Sequence, residues 1–517
     1  MSKRFSPRRR ALLRGIGALG AATAASPLRA VPRLERYPFT LGVASGYPGP
    51  GSLVLWTRLA PEPLAPHGGL PERPIPVRWE LAHDPGFRRL AASGTTYAEP
   101  QWAHSVHLEP YGLEPDREYW YRFQVADATS PIGRTRTAPT REAEVSRLRI
   151  GVGSCQHYAQ GWFSAYRYVA ADALDLFLHV GDYIYESSWG DELVRSQGAQ
   201  EPVTLNDYRR HYALYKADPD LQAAHASCPW LVVWDDHEVE NDYAGPISEN
   251  NDEPAWFLKR RAAAYQAYYE HMPLPRTMVP FGPNLRLHTR LHYGQLADLH
   301  LLDNRQYRSP QPCPRPGRAG SAVIRDCPSR HDPKATMLGA RQEQWLAANL
   351  RASEARWNLL GQQTLMAQAD GEPGPGQAFF SDGWDGYPAA RRRLLDVLAE
   401  RQPRNPVVLG GDVHSFWVTN LKQDFDEPES PTVASEFVTT SITSQSRPEE
   451  RIQAVKRENP HILYANGTER GYLRLEVTPE RVQADLLGLS SVKVKNPSCH
   501  RQAAFIVEAG QPGPQNA

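Results

Sequence analysis

The sequence has neither an excess of one charge nor a long apolar run. Its 58 Lys and Arg residues match its 58 Asp and Glu residues, and nothing in it resembles the clustered basic face of a nucleic-acid-binding protein. We therefore expect no specific nucleic-acid binding. A helix that spans a membrane needs about 20 consecutive apolar residues. Because no stretch of the sequence reaches that length, we also expect no transmembrane segment.

The first 30 residues contain no acidic residue and seven Lys and Arg residues, so the chain without them has 51 basic and 58 acidic residues. Arg8, Arg9 and Arg10 precede a weakly apolar run rich in Gly and Ala, which ends in small residues at Ala25 or Ala30. This pattern predicts a twin-arginine signal peptide over residues 1–30; the alternative is a basic amphipathic tail. We expect the twin-arginine translocation machinery to export the protein to the periplasm or medium, already folded and carrying any cofactor.

Cysteine is scarce, with five residues in 517. An odd number in an exported protein leaves at least one thiol unpaired. Cys313 and Cys327 flank a loop rich in Pro and Arg and could close it as a disulfide. Cys155 is either a metal ligand or a small buried apolar residue, and the pairing of Cys228 and Cys499 stays open.

A chain of this length exceeds one hydrophobic core and divides into domains. Residues 37–140 alternate apolar and polar positions in short runs between Pro and Gly turns, which predicts a small all-β sandwich. The turn Leu113-Glu114-Pro115, followed by Tyr119 and Tyr121, resembles the end of a fibronectin type III domain. Residues 146–509 contain both strand and helix patterns and form the second predicted domain. Near its end, Tyr472 to Val477 and Arg481 to Leu486 alternate around a turn and predict a hairpin that adds edge strands to a sheet. We expect the tail beyond Gly510, which is rich in Pro, Gly and Gln, to be disordered.

The second domain begins with two apolar runs that each break at polar residues. Leu148 to Val152 ends before Gly153-Ser154-Cys155, and Leu174 to Val180 ends before Gly181-Asp182. The amphipathic segment between them has helical length, so the pattern predicts a βαβ unit. In such a unit both breaks lie at the carboxyl ends of parallel strands, where open α/β sheets bind ligands. Tyr185 then directs its phenol oxygen back toward Asp182.

Two later strands also end in ionisable residues. Trp230 to Trp234 continues directly into Asp235-Asp236-His237-Glu238, with Asn241 close behind. Such a group is costly to bury unless it coordinates an ion; the alternative is a solvated acidic turn. The second of these strands, Pro406 to Gly410, is followed by Asp412 and His414, which alternation places on one side of an extended chain. Each break is weak evidence alone, but the repetition at three strand ends indicates a metal site.

In this order, Gly-Asp-x-x-Tyr, His-Glu and Gly-x-x-His resemble the calcineurin-like metallophosphatases, and the specific resemblance is to the alkaline phosphatase D family. It rests on GSCQ at 153–156, GDYIYE at 181–186, WDDHE at 234–238 and GGDVH at 410–414. The segments LLDNRQYRS at 301–309 and DGWDGY at 382–387 are also similar to that family. The resemblance implies an α/β metallophosphatase sandwich, with mixed β-sheets flanked by helices, behind the small β domain.

The resemblance also implies a binuclear centre bridged by Asp182. Its first set of ligands would be Cys155, Asp182, Tyr185 and His414, and thiolate and phenolate ligands suit Fe(III). The second set would be Asp182, Asp236 and Asp412. Oxygen ligands favour a hard cation such as Ca(II). The catalytic roles would be leaving-group protonation by His237 and orientation of a phosphate oxygen by Asn241.

These residues together predict a secreted phosphoesterase that hydrolyses phosphate monoesters, diesters or both by attack of a metal-bound hydroxide. An alternative keeps the metals but assigns phospholipase-D-like or nucleotide hydrolysis, which a substrate panel would separate. A third hypothesis is a non-catalytic periplasmic binding protein with structural metals. We expect the enzyme to act as a monomer on small phosphate esters or phosphodiesters.

Overall fold

The structure is a computed structural model that describes residues 35–401 and 403–517. The predicted signal peptide at 1–30 lies outside the described residues. Among the residues that are described, no helix combines the length and apolar character needed to cross a membrane.

The described chain forms strands and helices in the following order. The strands are β1 Val43–Gly46, β2 Val54–Arg58, β3 Ile75–Ala82, β4 Leu90–Ala98, β5 Ser105–Leu108, β6 Glu118–Val125, β7 Ala128–Thr129, β8 Gly133–Arg136, β9 Leu148–Gly153, β10 Leu176–His179, β11 Pro229–Val232, β12 Thr289–Tyr293, β13 Ala297–Leu301, β14 Val323–Ile324, β15 Trp357–Gly361, β16 Phe379–Phe380, β17 Pro406–Gly410, β18 Phe416–Lys422, β19 Thr432–Val438, β20 Ile462–Asn466, β21 Arg470–Val477, β22 Arg481–Leu489, β23 Cys499–Glu508 and β24 Gln515–Asn516. The helices are α1 Ala165–Ala171, α2 Leu205–Lys216, α3 Pro219–Ser227, α4 Pro254–His271, α5 Ala340–Arg351, α6 Pro388–Arg401 and α7 Glu449–Glu458.

Two large mixed sheets form the body of the protein. One has ten strands in the order β24-β23-β22-β21-β9-β10-β11-β1-β2-β5, and the other has seven in the order β12-β13-β15-β17-β19-β18-β20. Apolar side chains from both sheets, among them Val152, Leu178, Val407 and Phe437, belong to one buried cluster. The central strands β10, β11, β15 and β17 are buried along their whole length, as expected for strands that are covered on both faces. The structure confirms the predicted α/β sandwich.

The predicted βαβ unit is confirmed. β9 and β10 pair in parallel, with Val152 opposite Leu178, and α1 lies between them in sequence. β11 continues the sheet in parallel beside β10. The carboxyl ends of these three strands therefore meet at one edge, and β17 ends nearby in the second sheet of the sandwich.

The all-β region before residue 140 shares its sheets with the rest of the chain. β3, β4 and β6 form a separate sheet, with β7 and β8 paired to β6, while β1, β2 and β5 extend the ten-stranded sheet through β11. Apolar side chains including Leu55, Val77 and Phe123 fill the space between these layers. The Tyr119 hydroxyl accepts a hydrogen bond from the Glu114 backbone N–H at 2.9 Å, the corner typical of such sandwiches. The domain limits at 30, 140 and 146 stay predictions.

Two expectations about the end of the chain were wrong. The hairpin β21–β22 was expected at a sheet edge, but β21 pairs with β9 and β22 pairs with β23, so both strands are internal. The Pro- and Gly-rich tail after Gly510 was expected to be disordered. Instead, β24 pairs with β23 through Gln515 and Ile506, because the unpaired N–H and C=O groups of an edge strand accept another strand.

Candidate metal centre

Four strand ends deliver the predicted ligands to one cleft. Cys155 follows β9, Asp182 and Tyr185 follow β10, Asp236 follows β11, and Asp412 and His414 follow β17. Several of these side chains line a cavity of about 460 Å³ together with His237 and Asn241. All eight predicted site residues therefore come together from segments spread over 260 residues of sequence.

The chain leaves its strands in a strained conformation at this edge. The backbone φ angles are 58° at Cys155, 57° at Asp182, 65° at Asp412 and 55° at His414. Left-handed backbone in residues other than glycine costs on the order of 1–3 kcal/mol each and is common at functional sites. Gly181 has φ of 117°, and a Cβ atom there would lie 2.8 Å from the backbone nitrogen of Asp235. That position requires glycine, and it lets the β10 and β11 loops approach each other.

The first group of donors is the one predicted for iron. Ligand atoms of Cys155, Asp182 and His414 all lie within 4.8 Å of one another. The Tyr185 hydroxyl donates to Asp182 at 2.8 Å and lies 3.1 Å from Nε2 of His414. These four side chains thus surround one small volume with a thiol, a carboxylate, a phenol and an imidazole.

A second group shares Asp182 with the first. Ligand atoms of Asp182, Asp236 and His237 lie within 4.8 Å of one another, so Asp182 is common to both groups. Asp412 lines the same cavity and accepts a hydrogen bond from the Thr364 hydroxyl at 2.5 Å. A third group, Asp236 with Asp242 and Asp382, was not predicted from the sequence.

The donor atoms fit cations that would neutralise them. Oδ1 of Asp182 is buried and has no hydrogen-bond partner among the described residues. Burial raises the pKa of Asp182 well above its usual value, and Asp236, Glu238 and Asp412 raise it further, against an opposing effect of His237. Burial and the Asp182 charge also raise the pKa of the Cys155 thiol. A buried set of acids with these properties needs a positive ion to ionise.

The two histidines are oriented by hydrogen bonds on Nδ1. Nδ1 of His414 donates to the Gln445 carbonyl at 2.7 Å, which leaves Nε2 as the free lone pair. Burial lowers the pKa of His414 to about 3, so its ring is neutral at pH 7. Nδ1 of His237 contacts the Glu186 carboxylate at 2.7 Å. Burial opposes the charged form of His237, but Glu186, Asp236 and Asp182 together raise its pKa well above its usual value.

The Glu238 side chain connects the loops that follow β10 and β11. Its carboxylate accepts hydrogen bonds from the backbone N–H groups of Tyr183 at 2.6 Å, Asp235 at 2.8 Å and Asp182 at 3.2 Å. The loops after β10 and β11 are therefore held in register by one buried side chain. This explains the Glu of the WDDHE segment, for which the sequence indicated no separate role.

Arg305 is the main site residue that sequence reasoning missed. Its side chain is 1% exposed, and its Nε contacts the Asp235 carboxylate. Its Nη1 lies 2.7 Å from Oδ2 of Asp382, and its Nη2 lies 3.6 Å from Oδ1 of Asp236. Arg308 adds a second contact to Asp382 at 3.0 Å. These residues belong to the segments LLDNRQYRS and DGWDGY, which were noted only for their resemblance. The available signal was the presence of two Arg residues soon after the apolar end of β13. Their partners could not be identified, because these residues are distant in the sequence.

Comparisons with known proteins show which family the chain resembles over most of its length. The chain matches the family model described as PhoD-like phosphatase over residues 150–486 and the model of its N-terminal domain over residues 22–139. It is 43% identical over 494 residues to "Alkaline phosphatase D" of Bacillus subtilis (strain 168), covering 94% of this chain and 83% of the relative. The solved structure described as "Structure of PhoD" superposes with a TM-score of 0.90 at 43% identity, covering 94% of this chain and 93% of that one.

Proposed function

Because the chain belongs to the PhoD-like phosphatase family and is a phosphoric ester hydrolase, we propose that it hydrolyses phosphate mono- or diesters at a binuclear Fe(III)/Ca(II) centre. The observation that carries this proposal is the shared position of Asp182 between two groups of ligand atoms. Membership of a phosphatase family sets aside the non-catalytic alternative.

The donor sets support the two metal identities. Cys155, Asp182, Tyr185 and His414 offer a thiolate, a carboxylate, a phenolate and a neutral imidazole, which suit a trivalent, polarising iron. The second site has the carboxylates of Asp182, Asp236 and Asp412 near a single imidazole. Because oxygen donors predominate there, a hard cation such as calcium is favoured.

When bound, two such cations hold phosphate oxygens and acidify water. Neither of the two serines that adjoin predicted ligands in the sequence is placed as a nucleophile. Ser154 is 1% exposed and does not line the cavity, and the Ser415 hydroxyl donates to the Val413 carbonyl at 2.9 Å. We therefore propose direct attack of water on phosphorus in one displacement, without a phosphoenzyme.

We assign His237 to protonation of the leaving group and Asn241 to orientation of the substrate. Glu186 holds Nδ1 of His237, and the His237 ring packs against the Tyr185 ring at 4.2 Å between centroids. Its Nε2 is therefore the atom available to protonate the leaving oxygen. The Asn241 side chain lines the same cavity while its backbone N–H donates to Glu186 at 3.2 Å. We assign Asn241 to orienting a phosphate oxygen.

The test is the stereochemistry at phosphorus. With a chiral thiophosphate ester in isotopically labelled water, one displacement inverts the configuration, and Asp182→Asn should abolish nearly all turnover because Asp182 faces both groups. Retention, or transfer of the phosphoryl group to an added alcohol through a trapped phosphoserine, would overturn the mechanism. A panel of monoesters, nucleotides and lipid diesters would separate the phospholipase-D-like alternative.

We also propose export through the twin-arginine machinery to the periplasm or medium, with the enzyme acting as a monomer. The disulfide between Cys313 and Cys327 supports this proposal, since such bonds persist in oxidising compartments. A variant in which Arg8, Arg9 and Arg10 are replaced by Lys tests this proposal. The phosphatase activity of each cell fraction is compared between this variant and the wild type, and export through this pathway predicts that the variant loses the activity outside the cytoplasm.

A further inference from the structure

A second cavity of about 210 Å³ adjoins the metal centre. Four residues line both cavities, namely Asn241, Asp242, Glu249 and Phe380. The two spaces therefore form one continuous cleft. The outer part extends away from the ligands and toward the loop that the disulfide closes.

The disulfide loop forms the wall of this outer cavity and is fixed to the metal centre. Ser321 donates its backbone N–H to Asp242 at 2.9 Å, and Gln311, just before the loop, donates to the Asp242 carbonyl at 2.7 Å. The bond between Cys313 and Cys327 joins the two ends of the loop. Arg315 and Arg318 on this loop are thus held at a defined place beside the cleft.

Of the acids that line the cleft, Glu249 and Glu201 pair with cations, whereas the Asp242 carboxylate accepts hydrogen bonds from Ser321. Glu249 pairs with Arg318 at 2.7 Å, and Glu201 pairs with Arg260 at 3.3 Å. In the described part of the chain, by contrast, Arg315 forms no salt bridge. The same is true of Arg447, whose guanidinium lies 5.0 Å from the centre of the Phe380 ring. Arg315 therefore lines the outer cavity and Arg447 the inner one, and the Phe380 ring lines both.

We infer that Arg315 binds a second phosphate of the substrate, remote from the phosphate that is hydrolysed. This inference rests on the proposed function and names its substrate class: phosphodiesters that carry a further phosphate group. Guanidinium groups bind phosphate through charge-assisted hydrogen bonds. Phe380 and Trp189, which line the inner cavity, would contact the organic part between the two phosphates.

The experiment compares two esters that differ by one remote group. Both are p-nitrophenyl esters of thymidine 5′-phosphate, one with a 3′-phosphate and one without. The readout is the ratio of their kcat/KM values in the purified holoenzyme. We expect the wild type to favour the 3′-phosphorylated ester, and Arg315→Gln to reduce that preference by about fivefold to tenfold, as loss of one partly exposed charge-assisted hydrogen bond implies.

The control is Arg325→Gln, which removes the same charge from the same loop. Arg325 pairs with Glu372 at 2.9 Å and does not line either cavity, so its ratio should equal that of the wild type. Equal kcat/KM values for the two esters in the wild type would overturn the inference while leaving the proposed function intact. An equal loss of preference in Arg325→Gln would also overturn it. A wild type that hydrolyses p-nitrophenyl phosphate but neither diester would overturn the inference alone, whereas one that hydrolyses none of the three compounds would contradict the proposed function as well.

Discussion

Replacement of Arg305 by Gln tests whether this arginine holds the acidic loops together. The side chain is 1% exposed and contacts Asp235, Asp236 and Asp382, which are themselves between 1% and 4% exposed. Gln is close in size but carries no charge. The substitution therefore leaves three carboxylates buried without their shared cation.

The expected loss of stability follows from the burial. Removing one partner of a buried ion pair costs about 3–5 kcal/mol, because the remaining charge is left desolvated. Arg308 and Gln311 still contact Asp382 at 3.0 and 2.9 Å, so the effect should come mainly from Asp235 and Asp236. We expect the free energy of unfolding to fall by about 3–5 kcal/mol at pH 7.

The assay is urea unfolding of the holoprotein followed by tryptophan fluorescence. Arg325→Gln is the matched control, because Arg325 pairs with Glu372 while its side chain stays 63% exposed. An exposed pair of this kind contributes about 0–1 kcal/mol. If Arg305→Gln changed the free energy of unfolding no more than Arg325→Gln, the assigned role of Arg305 would be wrong.

The pH dependence gives a second check on the same variant. Burial alone raises the pKa of Asp236, but Arg305 and His237 outweigh that effect and lower the pKa below its usual value. A carboxyl group whose pKa is lowered in the folded state stabilises that state above its unfolded pKa of about 3.9, and this contribution is lost as the pH falls further. The stability difference between wild type and Arg305→Gln should therefore be largest near pH 7 and narrow below about pH 4.

Three further predictions concern the metals and the acid. If Cys155 and Tyr185 both bind Fe(III), the purified protein is coloured by ligand-to-metal charge transfer, and Tyr185→Phe bleaches or shifts the band in the visible spectrum; a colourless active protein that contains only zinc would refute this. A calcium-selective chelator should abolish phosphate release and added calcium should restore it, whereas better restoration by zinc would contradict the oxygen-rich assignment of the second site. His237→Ala should reduce kcat by about 10²–10⁴-fold, and the loss should be much smaller for an ester whose leaving group needs no proton; equal losses for both esters would argue against proton donation by His237.

The sequence predicted the secondary structure best where the pattern is local. β17 has the predicted limits, and β9 extends one residue beyond its predicted run. Apolar runs that end at Gly carry this information because burial and strand termination act on adjacent residues. The contact of Tyr185 with Asp182 was predictable for the same reason, since the two residues are three positions apart.

What the sequence determined by itself is which strand ends carry the candidate ligands. The tertiary structure decided the partners that give those ligands their properties. Arg305 contacts Asp382 across 77 positions, and His237 contacts Glu186 across 51. Such pairs leave no periodic signal in the chain, because the distance between them is set by how two sheets and their loops pack. The same reason explains the tail after Gly510, whose strand exists only because β23 presents an open edge.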